Sequence, residues 1–460
     1  MPIKLRLLTL ALAGAAAAAP ALAQESLLDI YNRALQNDPA IREAEALYLA
    51  TAEVRPQTRA GLFPTLGLGA SRGHTFQDTT GGALSPTGET IGTRSQFERD
   101  SYGYSISLNQ TVFDWSLYAQ LRQADKRVLQ AETNYEAAKQ DLLIRVSQAY
   151  FNVLAAEDNL ASAVAAREAI ARQLEQSQRR FEVGLIAITD VQQSQAAFDS
   201  AVADEIEAQR LLATSHEFLR EIIGDIVTDL AGPTDDLPLL SPDPANAEEW
   251  VATALRQNLA LVAQRLAADI ADDQIDIERG NRLPTLSLSA GYSDNTNDQT
   301  QRVFTLAGVT VSPSNQEPVG RNWQLNLQFP IFTGGLNRSR VQQSVYLRRQ
   351  SQETLERIAR QTERQARDAY LGVISEISRV RALRQSVESN RTALRATEAG
   401  FEVGTQTTVD VLQSQRSLRL AETTYSRSRY DYMLNLLLLK EAAGSLTIAD
   451  IEQIDSWLQR

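Results

Sequence analysis

The chain has 460 residues, a net charge of −12, no cysteine and two histidines, His74 and His216. Without cysteine there is no disulfide, no thiolate metal site, no cysteine nucleophile and no lipidated cysteine. The two histidines sit in different kinds of segment, so a metal or Ser-His hydrolase site is poorly supplied, and neither a metal nor a cofactor is expected. The acidic balance argues against nucleic acid as a partner.

At the N-terminus Lys4 and Arg6 precede the apolar run Leu7 to Ala19, and Pro20-Ala21-Leu22-Ala23 puts small residues at the −3 and −1 positions of a cut before Gln24. Residues 1–23 therefore read as a secretory signal peptide that carries the protein beyond the cytoplasmic membrane. Its apolar run is short for a membrane span, and no later stretch reaches about 20 apolar residues. Transmembrane strands, which are short and alternating, escape that test.

The rest of the sequence says nearly the same thing twice. "FEVGLIAITDVQQSQ" begins at Phe181 and "FEVGTQTTVDVLQSQ" at Phe401, 220 positions on (401 − 181). "LFPTLGLGAS" from Leu62 answers "RLPTLSLSAG" from Arg282, and "QAYFNVLAA" from Gln148 answers "DAYLGVISE" from Asp368. The chain thus divides into a first structural repeat (24–229), a proline-rich linker (230–247), a second repeat (248–445) and a C-terminal tail (446–460). Each repeat reads as helix, strand, loop, strand, very long helix, break, helix. From Ser116 to Val183 there is neither Gly nor Pro, and a straight helix of about 65 residues is roughly 100 Å long. Leu121, Val128, Tyr135, Leu142, Ala149, Ala156, Ala163 and Ile170 recur every seven positions. That period means helices supercoiling around each other, and the alanines allow close approach.

The strands argue against a simple coiled-coil rod. Tyr102, Tyr104, Ile106 and Leu108 share one face, opposite Gly103, Ser105 and Ser107. Trp323, Leu325, Leu327, Phe329 and Ile331 alternate with Gln324, Asn326 and Gln328, and the segments 284–292 and 64–71 follow the same rule. The polar face is small and uncharged, as suits a wet lumen. The apolar face carries aromatics near the strand ends, as suits lipid. The connecting segments Gly73 to Arg99 and Ser293 to Gly320 read as long loops. Four strands cannot close a barrel, for which about eight are needed, and open edges are not tolerated in lipid. Several chains must share one barrel; two give eight strands and three give twelve, and the larger one leaves a useful channel.

"RRFEVGLIAITDVQ", "AGFEVGTQTTVDVL", "SLNQTVFDWS" and "FPIFTGG" resemble the TolC family of outer-membrane export channels over the whole chain after the signal peptide. The resemblance implies a mainly α protein with a transmembrane β-barrel part, in which a helical coiled-coil barrel continues a twelve-stranded trimeric outer-membrane barrel. It implies four strands per chain and a homotrimer that catalyses nothing. Its tunnel reaches into the periplasm, closes at its inner tip and docks on a periplasmic adaptor bound to an inner-membrane transporter. Outer-membrane lipid is then expected around Tyr102, Tyr104, Ile106, Leu108, Trp323, Leu325, Leu327 and Phe329.

Each "FEVG" then marks a helix turning back at the tip, with Gly184 and Gly404 in the turn, and Phe181, Gly184, Phe401 and Gly404 as the expected adaptor dock. Asp190 and Asp410 fall in the first turns of the returning helices, where an acid is favoured in any case. By resemblance Asp410 lines the closed aperture and Asp190 belongs to the network that latches the tip. The family pattern has a tyrosine where Phe401 stands, an arginine where Gln406 stands and a second aspartate where Gln413 stands. The constriction is thus expected to be less negative and the tip to be held by other contacts. The competing readings are a periplasmic coiled-coil structural protein and an adaptor. Lipid-facing aromatics argue against the first, and the lack of compact β-rich modules argues against the second.

Overall fold

The computed structural model describes residues 24–84, 88–234, 237–305 and 308–458; the signal peptide read in residues 1–23 lies outside them. In chain order the elements are α1 (Leu27–Asn37), α2 (Pro39–Ala52), α3 (Val54–Ala60), β1 (Thr65–Leu84), β2 (Thr90–Phe113), α4 (Trp115–Glu182) and α5 (Ile188–Ile223). The second half gives α6 (Ala247–Gln257), α7 (Leu259–Gly280), β3 (Thr285–Thr305), β4 (Gly308–Gln316), β5 (Val319–Gln328), α8 (Leu336–Glu402), α9 (Thr408–Ala443) and α10 (Ile448–Asp455). Among the described residues no helix is both long and apolar enough to cross a membrane. The chain forms two compact units.

One unit comprises Ala44–Glu136 and Leu259–Gln361 and holds the sheet. All its pairings are antiparallel: β1 with β2, β2 with β3, and β3 with both β4 and β5. β4 and β5 lie along the same strand and are parted at Glu317 and Pro318, where proline has no N–H to give to the ladder. The Pro318 carbonyl still accepts from the Asn295 N–H at 3.2 Å. The sheet is therefore four strands wide. Its register merges the four apolar stripes. Leu68 pairs with Ile106 and Ile106 with Tyr292, while Leu108 pairs with Ala290 and Ala290 with Trp323. The opposite face sets Gly67 against Ser107 and Gly291 against both Ser107 and Asn322. Bulk on one face and small residues on the other favour curling toward the small face. Among the described residues no layer covers the apolar face: Leu68 is 80% exposed and Trp323 78%. Tyr102, Tyr104, Ile106, Leu325, Leu327 and Phe329 are also exposed, and Leu108 is half-buried.

The segments expected as long loops are mostly strand. β1 runs on to Leu84 and β2 starts at Thr90, and β3 and β4 likewise extend to Thr305 and from Gly308. Their Thr-, Ser- and Gly-rich composition hides the partner that stabilises them. Cross-strand polar contacts tie these extensions together: Arg94 grips Asp78 with Nε at 3.0 Å from Oδ1, Arg302 lies 3.3 Å from Glu98, and His74 Nδ1 lies within hydrogen-bond distance of Asp100, at 3.0 Å.

The other unit comprises the chain up to Glu43, Ala137–Asn258 and Thr362 onward. Along α4 the seven-residue stripe is buried at Leu142, Ala149, Ala156, Ala163 and Ile170, and the next position, Ser177, is fully buried against Ser194 of α5 with hydroxyls 3.1 Å apart. α8 buries its own stripe at Ala366, Val373, Val380 and Val387, ending seven by seven near Phe401. In the first unit the stripe residues Leu121, Val128 and Tyr135 are only half-buried.

The segment read as a linker is tied down. Ala231 N–H donates to the Glu25 carbonyl at 3.1 Å, and Leu240 N–H donates to the Tyr432 hydroxyl at 2.7 Å. The segment read as a tail forms α10, which buries Ile451 and Ile454 and turns Asp455 onto the Leu27 N–H at 3.0 Å, at the start of α1. Tyr150, fully buried, donates to the Ala231 carbonyl at 2.7 Å. Asp38, also buried, is held by Arg145 at 2.7 Å. Removing that arginine strands a buried carboxylate, so Arg145→Ala should destabilise the fold by about 3 kcal/mol in denaturant titration.

Glu157 of this unit titrates out of the usual carboxyl range. Burial, and then the neighbouring Asp158 and Asp229, push Glu157 up to about 7. The folded chain thus keeps a proton that the unfolded chain releases in the ordinary carboxylate range. The associated stability is full in acid and is lost as the pH rises through about 7. Glu157→Gln should melt higher than the wild type in alkaline buffer, with the gap closing in acid; thermal scans across pH check this.

Candidate functional site

The two helix reversals are built alike. In the first, the Gly184 N–H donates to the Phe181 carbonyl and the Leu185 N–H to the Arg180 carbonyl, both at 2.9 Å. In the second, Gly404 bonds to Phe401 at 3.2 Å and Thr405 to Gly400 at 2.8 Å. This double closure satisfies the last carbonyls of a helix and requires a left-handed residue after its end. Gly184 at φ +77° and Gly404 at φ +80° supply it, in a conformation that side chains bearing Cβ adopt at a cost. Val183 and Val403, beside the turns, are exposed.

The returning helices are capped by the expected aspartates. Asp190 accepts the Ala187 N–H at 3.2 Å. At the second reversal the cap is reciprocal. Asp410 accepts the Thr407 N–H at 2.8 Å and the Thr407 hydroxyl at 2.7 Å, and its own N–H donates to that hydroxyl at 3.3 Å. These bonds from Thr407 hold the Asp410 carboxyl below its ordinary value. Gln413 stands exposed one turn further along α9, on the side of Asp410. Among the described residues neither Asp190 nor Asp410 bonds to the other hairpin.

The ends of the two hairpins meet through Arg180 and Phe401. The Arg180 guanidinium lies over the Phe401 ring, 4.5 Å from its centroid, and its Nη1 donates to the Phe401 carbonyl at 3.3 Å. Deeper in, Ile170 of α4, Ala197 and Ala201 of α5 and Leu412 of α9 form one buried cluster. Phe401 is consequently 6% exposed, whereas Phe181 is 41% exposed. Of the two phenylalanines grouped as a dock, only Phe181 presents its ring. Gln406, expected among the gate residues where the family has an arginine, folds over Gly400; a Cβ there would come within 2.6 Å of Gln406 Cγ.

Arg180, Gly400 and Thr407 are thus part of the tip although the motif alone does not single them out. A signal was present in the duplication. Position 180 answers position 400, and an arginine in one repeat faces a glycine in the other. Gly400→Ala should displace residues 405 and 406, read as faster proteolytic cleavage at the second tip. Adding Gln406→Ala removes the colliding atom and should slow that cleavage again.

A family model for outer membrane efflux proteins matches residues 30–225 and again 250–445. The outer membrane protein TolC of Vibrio cholerae is 35% identical over 437 residues, covering 95% of this chain and 94% of that protein. The alkaline protease secretion protein AprF of Pseudomonas aeruginosa is 30% identical over 436 residues, covering 93% and 86%. The solved outer membrane protein VceC of Vibrio cholerae shares the fold, with a TM-score of 0.71 at 19% identity over 91% of this chain and 96% of that one. With one match of the family model in each repeat and relatives alike along nearly their whole length, the chain belongs to the outer membrane efflux protein family.

Proposed function

We propose that three copies of the chain close one twelve-stranded barrel in the outer membrane and continue it as a helical tunnel into the periplasm. The observation that carries this reading is the four-stranded sheet whose apolar face has no cover and whose outer strands, β1 on one side and β4 with β5 on the other, have no further partner among the described residues. Lipid accepts such a face, but it does not accept an open edge. A neighbouring copy supplies the missing strand on each side, and the Gly- and Ser-rich face then lines the bore. α4 and α8, with 68 and 67 residues, are each about 100 Å long, enough to form the wall of a tunnel.

The channel exports small toxic compounds, proteins or both, and draws its energy from an inner-membrane transporter reached through a periplasmic adaptor. The likeness to a protease secretion protein supports protein cargo. The adaptor docks on the tips, on the exposed surface around Phe181, Gly184 and Gly404, with Phe401 beneath it. Around the threefold axis the Asp410 side chains form the constriction, flanked by Gln413, with Asp190 and Gln406 beside it in the tip network. Three like charges facing one another attract cations.

Lipid exposure is tested by paired substitutions. Leu68→Arg puts a charge on the apolar face, a cost of about 2 to 4 kcal/mol near the bilayer midplane. It should abolish the outer-membrane trimer, while Ser105→Arg on the opposite face should leave the trimer in place and alter conductance. Equal tolerance of both would remove the lipid assignment.

The constriction is tested in planar bilayers with a trivalent cation titrated from the periplasmic side. Asp410→Ala should weaken block and Gln413→Asp should strengthen it. An unchanged blocking concentration in Asp410→Ala would leave Asp410 as a helix cap alone.

A further inference from the structure

We infer that Arg180 is the pin that holds the second hairpin, α8–α9, against the first, α4–α5, in the constricted state, and that it takes the place of the latch cation that Gln406 does not supply. The inference rests on the channel reading and adds to it a positioning residue that no motif assigns.

Three observations converge on this side chain. Its guanidinium stacks on Phe401, the last apolar residue of the α8 stripe, and its Nη1 donates to the Phe401 carbonyl at 3.3 Å. That same carbonyl accepts the Gly404 N–H at 3.2 Å, the bond that closes the second turn. One cation therefore grips both the ring and the backbone atom on which the reversal depends, at a helix C-terminus where positive charge is favoured.

The grip is also suited to release. Among the described residues Arg180 has no carboxylate partner, whereas its neighbour Arg179 is paired with Glu175. A stacked cation on a half-exposed side chain is held more weakly than a buried ion pair. It can leave without stranding a charge in the core, because water solvates it.

Finally, the grip is one-way. The residue that answers Arg180 in the second repeat is Gly400, which has no side chain to lay over Phe181 in return, and among the described residues no cation lies over the Phe181 ring. The duplication has been made asymmetric here: one phenylalanine is pinned and buried, and the other is exposed beside Val183. A partner seated on the first tip therefore meets the pin from the side of its own helix.

The test uses the full chain after removal of its signal peptide, reconstituted as it assembles. In planar bilayers Arg180→Ala should raise the fraction of time spent in the high-conductance level about tenfold, as expected for loss of a partly desolvated cation–π contact and a charged hydrogen bond. Phe401→Leu should raise it less, and Arg180→Lys should fall between wild type and Arg180→Ala. The double variant Arg180→Ala with Phe401→Leu should exceed Arg180→Ala by little, since both remove the same contact. Trimer yield and melting temperature should stay as in the wild type. Wild-type conductance in Arg180→Ala, or fully additive effects, would overturn the pin.

A second readout does not require conduction. The sequence has no cysteine, so Val183→Cys and Val403→Cys place spin labels on the two exposed tips of a chain diluted among unlabelled copies. The pinned chain should give a narrow distance distribution, and Arg180→Ala should broaden it; an unchanged distribution counts against the pin. A broadened distribution in a protein that forms no channel would support the pin and overturn the channel reading instead.

Discussion

Backbone hydrogen bonding at a sheet edge is the constraint on which the rest of this molecule depends. In hydrocarbon no water replaces a missing partner, so every N–H and C=O of a spanning strand must find one in protein. Within the chain this is met between β1 and β2, between β2 and β3, and between β3 and the interrupted strand β4–β5. Among the described residues it is unmet at the two outer strands. An edge that lipid forbids, next to an apolar face that water disfavours, makes the isolated chain an incomplete object and a closed ring of copies its natural completion. Pro318 shows the same rule at small scale: the ladder breaks where the N–H is missing, and the free carbonyl is still used.

The helical part answers a different demand. A helix of about 100 Å cannot be held by its own propensity alone, and its stability comes from the packing of one stripe. Alanine and valine dominate that stripe, so the helices pack through many small contacts rather than a few large anchors. Such a seam is uniform along its length and carries little information about register. The polar positions supply register: the Ser177–Ser194 pair in the seam and Arg180 on Phe401 at the end. At these positions sliding by one turn would separate a hydrogen-bonded or stacked partner.

Internal duplication gives each hairpin the same reversal, with the same double closure and a left-handed glycine. It does not give them the same chemistry. The first tip carries Arg179 and Arg180 in its last turn, and the second carries Gly400 and a complete Thr407–Asp410 cap. The two tips of one chain therefore differ: Arg180 of the first reaches across, and Phe401 of the second lies beneath it.

Much was legible in the sequence because the signals are local and periodic. The 220-residue offset revealed the two repeats. The period of seven revealed the supercoiled helices, and the period of two revealed a sheet with one apolar face. The glycines of "FEVG" marked the reversals, since a left-handed position leaves a residue-type signature. What the sequence could not carry is which distant residues meet. The polar, Gly- and Thr-rich extensions of β1 to β4 looked like loops because their partners lie across the hairpin or in the other repeat, up to about 200 positions away. The segment 230–247 looked like a free linker because proline marks a break in secondary structure and says nothing of the carbonyls and hydroxyls that bind the chain on either side. The tail 446–460 hid a helix whose capping partner for α1, Asp455, stands at the opposite end of the chain. Phe181 and Phe401 were indistinguishable within their motif, and only the tertiary structure separated them. Burial of a side chain is decided by what lies over it, and what lies over Phe401 is an arginine 221 positions earlier in the chain.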